Sequence, residues 1–105
     1  MNSVLSINKV LIRLPNERWV HITMGHPEIA EYYFEVLETI QAPDEIYEGK
    51  GGELLATKIF SQLNGKFVVV VYKELSANDG FVITAYISNK KQEFLKRNKI
   101  WVSQR

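Results

Sequence analysis

The sequence predicts an α+β domain, with two N-terminal helices packed on one face of a three- to four-stranded antiparallel meander sheet. Three observations predict it. Ile29, Tyr33, Val36, Leu37 and Ile40 form an apolar stripe of helical period. Residues 53–60 and 81–88 alternate with the two-residue period of a strand, and valine-rich 66–74 lies between them. Asn64-Gly65 and Asn78-Asp79-Gly80 supply the turns that join these runs into hairpins.

The elements follow in order. Residues 9–14 are apolar and β-branched and end at Pro15-Asn16, so they read as a short strand entering a turn. Asn16 can cap a helix, with Glu17 in its first turn where the dipole favours an anion. That helix is expected to run to about Met24, with Trp19 and Ile22 buried and Arg18 and His21 on a neighbouring face. Gly25 ends it in the left-handed manner, and Pro27 opens the second helix, which carries the apolar stripe and stops before Pro43. Residues 44–48 form a short strand, Gly49-Lys50-Gly51-Gly52 a turn, and three longer strands follow. Along 53–60, Leu55, Thr57 and Ile59 face one way. Along 81–88, Thr84 and Tyr86 fall on the face left partly open by the helices.

At 105 residues and 46% hydrophobic content, the chain is expected to form one domain, with its core in 10–88 and a basic extension at 89–105. With no cysteine, disulfides, thiolate metal sites and cysteine nucleophiles are excluded. No apolar run reaches the ~18 residues that span a bilayer, and the first ten residues do not read as a secretory signal. A cytoplasmic protein with no membrane partner is the expectation. Net charge is +1, but acids crowd residues 28–53 and bases crowd 90–105. Such asymmetry fits a patch that attracts a polyanion; it also fits a solvated acidic helix face and a soluble basic end.

His21 is the leading candidate for chemistry, since imidazole both takes and gives a proton near neutral pH. On composition alone a helix histidine is as well explained as a surface or core residue. His26, before Pro27, reads as a turn position, and two histidines across a glycine break do not make a metal pair on one helix. No metal and no cofactor are expected. Lys58, Lys73, Arg13 and Arg18 sit on regular elements that can hold a cation in place for a phosphate. Each is also explained as an edge charge. Tyr72 and Tyr86 can stack on a base, or simply cover the sheet. The Gly49–Gly52 turn lacks phosphate-loop spacing and opens no helix.

Five motifs in order are more specific than any one of them. They are Arg18-Trp19-Val20-His21-Ile22, His26-Pro27-Glu28, Pro43-Asp44-Glu45-Ile46-Tyr47, Val69-Val70-Val71-Tyr72-Lys73 and Gly80-Phe81-Val82-Ile83-Thr84-Ala85-Tyr86. Together they resemble the phage and bacterial barnase–EndoU–colicin–RelE-like (BECR fold) ribonuclease domains, over about residues 10–88. The resemblance implies two helices followed by a four-stranded antiparallel sheet. It also implies metal-independent RNA cleavage by 2′-hydroxyl attack, in a toxin-like, processing or defence nuclease. His21 would then be the acid–base group and Thr84 a hydrogen-bond donor to the phosphate, with Lys58 completing the catalytic set. Arg18, Arg13, Lys73, Tyr72 and Tyr86 would bind substrate. RNA and a protein inhibitor (an antitoxin) are the implied partners. The alternative expectation is a non-catalytic RNA- or protein-binding domain that keeps the fold. The chain is expected to be a monomer or a weak homodimer, pairing through the edge at 44–48.

Overall fold

The structure is a computed structural model describing residues 2–104. The chain begins with a hairpin, β1 (Ser3–Leu5) and β2 (Leu11–Arg13), then α1 (Asn16–Gly25), a 3-10 turn (Pro27–Ile29) and α2 (Tyr33–Gln41). A meander follows: β3 (Glu45–Glu48), β4 (Leu54–Ile59), β5 (Phe67–Ser76) and β6 (Asp79–Ser88). A second 3-10 turn (Lys91–Phe94) leads to β7 (Lys99–Val102). No helix among the described residues is long and apolar enough to cross a membrane.

The expected three- to four-stranded antiparallel meander is too small and too uniform. The sheet has seven strands in the order β1-β2-β6-β5-β4-β3-β7, and β2 runs parallel to β6. The meander is present, but only as its middle. The helices are also preceded by a hairpin rather than standing first. β1 and β7 are three and four residues long, so neither carries enough alternation to show in a sequence. The parallel pair joins residues far apart in the chain, which no local period encodes.

Gly80 is what lets β2 dock. It pairs with Ile12, and a Cβ built there would lie 2.5 Å from the Lys73 carbonyl oxygen and 2.7 Å from Ile12 Cδ1. Any larger residue would wedge the seam open. The hairpin before it is pinned by Ser6, whose hydroxyl donates to Glu74 Oε2 at 2.6 Å and accepts from the Val10 amide at 3.3 Å.

α2 packs its buried side, Val36, Leu37 and Ile40, on the sheet face built from Ala56, Val68, Val70, Tyr72, Val82 and Ala85. The stripe is real, but the helix is shorter than the motif suggests. Ile29 lies in the 3-10 turn, and the chain re-enters helix only at Tyr33, after an irregular Tyr32. At α1, Pro15 rather than Asn16 precedes the helix, and Gly25 ends it without a positive φ. Along β6 the register jumps at Val71/Tyr72, leaving Ile83 as the extra residue. Val82 therefore joins Ala85 on the helix side, where strict alternation would put it on the other.

The opposite face holds a second cluster: Tyr47, Leu55, Phe67, Val69 and Phe94, with Val71 and Tyr86 against it. Phe94 comes from the segment 89–98, which leaves the end of β6 and crosses this face to reach β7. It lies 5.2 Å from the Tyr47 ring and 5.8 Å from the Phe67 ring. β7 then pairs with β3, so residues 44–48 are not an exposed edge; β3 has a strand on both sides. Glu45 fastens the crossing. Its carboxylate accepts from Lys91, from Lys99 Nζ at 2.9 Å and from the Tyr47 hydroxyl at 2.6 Å. Burial pushes this carboxyl up, but the hydrogen bonds from Lys91, Tyr47 and Lys99 outweigh it and hold it at about 2. Burial, and then Glu45 itself, pushes the Tyr47 hydroxyl up to about 12.

Two outcomes test these packing arguments. Gly80→Ala should lower the unfolding free energy by about 1–3 kcal/mol, measured by urea denaturation, because the seam has no room for the methyl group. Glu45 titrates lower in the folded than in the unfolded chain, so its contribution is complete above about 4.5 and is lost as pH falls towards about 2. Thermal melts across that range should show a decline that Glu45→Gln makes shallower.

Candidate functional site

β6 is ten residues long, yet β2 pairs with it only through Gly80 and Phe81. Beyond Phe81 its outer side is taken up by α1 and the 3-10 turn that follows. The residue placed there is His26. Its amide donates to the Ile22 carbonyl at 2.8 Å, closing α1, and its own carbonyl accepts from Ile29 at 3.1 Å, opening the next turn. Pro27 disfavours helical backbone at His26, and His26 accordingly has φ −135° and ψ 74°. The ring stacks on Tyr86 of β6, with centroids 5.4 Å apart and planes at 31°. On the side of Nδ1, Glu28 Oε2 lies 3.6 Å away. That is an electrostatic contact longer than a hydrogen bond.

His26, Glu28 and Tyr86 line a cleft of about 640 Å³ at the end of β6. Leu63 and Ile87 are its apolar lining. Gln62, Asn64 and Asn89 give amides, Lys66 and Lys90 give cations, and Tyr32, Ser88 and Glu93 complete the wall. Asn64 and Gly65 both take positive φ, 54° and 87°, in the tight turn that brings Lys66 to the rim. Neither Lys66 nor Lys90 makes a side-chain ion pair among the described residues. Burial raises the Tyr86 hydroxyl above its ordinary range; Glu93 adds to this and Arg97 opposes it. That hydroxyl keeps its proton.

The residues singled out from sequence are scattered. His21 is exposed on α1 and lines a separate shallow depression with Pro15, Glu17 and Arg18; neither Thr84 nor Lys58 lines it. Thr84 lies on the far face, opposite Val71 and two residues from Tyr86. Lys58 is on the helix side with its side chain 8% exposed, and its ammonium donates to the Ala42 carbonyl at 2.7 Å, just past the end of α2. It lies at a helix C-terminus, with Asp44 Oδ1 3.8 Å from the ammonium. Tyr72 is fully buried under the helices, so it stacks on no base. Arg13 is paired with Asp79 at 2.9 Å, and Lys73 donates to the Gly51 carbonyl at 3.2 Å. Of the sequence candidates, Tyr86 alone lines the cleft. His26 and Glu28 were visible as His-Pro-Glu but read as a turn. Lys66 and Lys90 carried no signal beyond being basic.

No family model, curated protein or solved structure matches the chain. Among the described residues, no three His, Asp or Glu side chains converge as a metal site.

Lys58→Ala should lower stability by about 1–3 kcal/mol in urea unfolding, because it removes a buried cation from a helix-end carbonyl.

Proposed function

We propose that the chain cleaves RNA without a metal ion and that His26, rather than His21, is its acid–base group. The observation that carries this reading is the His26–Tyr86 stack inside the cleft, with Glu28 beside it and flanked by Lys66 and Lys90, which make no ion pair among the described residues. An aromatic platform, an imidazole with a free nitrogen and two cations meet the needs of one nucleotide and its phosphate.

In this reading the 2′-hydroxyl oxygen attacks the adjacent phosphorus as His26 Nε2 takes its proton. Lys66 and Lys90 balance the charge that gathers on the phosphorane oxygens. The bond from phosphorus to the 5′-oxygen breaks, and the Tyr86 hydroxyl gives its proton to that oxygen. The products are a 2′,3′-cyclic phosphate and a free 5′-hydroxyl. Proton return from His26 to Tyr86 through water resets the site.

The test is incubation of RNA with purified protein in EDTA, with product ends identified. Wild type should leave 2′,3′-cyclic phosphates. His26→Ala should lose about 10²–10⁴-fold in rate, and Tyr86→Phe, which keeps the stack, should lose at least tenfold. His21→Ala should cleave as wild type does. Undiminished cleavage by His26→Ala would sink the assignment. RNA recovered intact in a salt-sensitive complex would point instead to a binding domain.

A further inference from the structure

We propose that the segment 89–98 is an anion track leading out of the cleft, so that the preferred ligand is a single RNA strand longer than the cleft itself holds. The proposal rests on RNA occupying the cleft.

The segment is held firmly at three places. Lys91 is bound to Glu45, Phe94 is 2% exposed beneath the chain, and Asn98 both donates to Glu48 Oε1 and accepts from the Glu48 amide at 2.9 Å. Between the last two anchors, Leu95, Lys96 and Arg97 are all exposed. The basic residues here divide by role. Lys91 and Lys99 share the single carboxylate of Glu45. Lys90 lines the cleft, and Lys96 and Arg97 make no ion pair among the described residues. Their backbone is held by the anchors on either side, so binding a phosphate orders only their side chains.

Lys90 lines the cleft, and Lys96 and Arg97 follow on the same segment just past buried Phe94, with Glu93 the one carboxylate among residues 89–98. Lys90, Lys96 and Arg97 therefore run in order out of the cleft along the segment. A stacking platform at one end of such a series suits single-stranded nucleic acid. Glu31, Glu35 and Glu38 lie on or just before α2, which covers the other face of the sheet, and would repel a strand from that side.

Fluorescence anisotropy with 2′-O-methyl RNA tests this, because that RNA lacks the attacking hydroxyl and stays intact whether or not the protein is a nuclease. A dodecanucleotide should bind more tightly than a trinucleotide, with a steeper dependence on salt. The double variant Lys96→Ala/Arg97→Ala should reduce the dodecanucleotide's log–log salt slope by about 1.4, two phosphates at about 0.7 each, and leave the trinucleotide's affinity unchanged. Equal affinity for both lengths, no binding of either, an unchanged slope, or equal weakening at both lengths would each overturn the track. A cleavage defect in His26→Ala with normal dodecanucleotide binding would separate the two proposals.

Discussion

The pairing of β2 with β6 is the constraint on which the rest of the molecule depends. Gly80 admits β2 to the edge of the meander, and Arg13 ends β2 almost at once. The remainder of β6 is left with hydrogen-bonding groups on one side and no strand to take them. α1 and the His-Pro-Glu turn lie along that gap. The imidazole is thereby brought against Tyr86 by the geometry of a strand that stops early. Had β2 continued, the cleft would be closed by sheet.

The two faces of the sheet have been given different work. The helix side is sealed: Val36 and Ile40 meet Val68, Val70 and Tyr72, and even its lysine, Lys58, is spent on a helix end. The far side is covered only by a narrow crossing strand of irregular chain, anchored through Phe94 and Glu45. Aromatic packing fixes where that chain runs, and the paired carboxylate fixes which of its cations are left over.

Local patterns showed what is local. The meander strands, the amphipathic helix and the Asn64-Gly65 turn all follow from period and turn chemistry, and they were legible. Long-range pairing was not. Nothing in Leu11–Arg13 announces a parallel partner near Gly80, and Lys99–Val102 is hidden among bases that mask four strand-forming positions. The site suffered the same limit. His21 stood out because its helix face was predictable, whereas His26 gains its meaning only from Tyr86, sixty residues on. A residue whose role depends on a neighbour brought up by topology looks, in sequence, like a turn. Tyr72 failed in the opposite way: it shares a face of β5 with Val68 and Val70, and that is the face the helices cover.

The seam has a kinetic side. Ser6 bonds Glu74 across 68 positions, and Ile12 meets Gly80 only when the whole intervening chain has taken its place. Loop closure on that scale is slow compared with forming hairpins, and it is rewarded only at the end. The meander can assemble early from contacts between neighbours. The cleft cannot, since its histidine and its tyrosine belong to the two halves that this closure unites. A partly folded chain would therefore have most of its sheet and no formed cleft, and the His26–Tyr86 contact would arrive with the last cooperative step of folding.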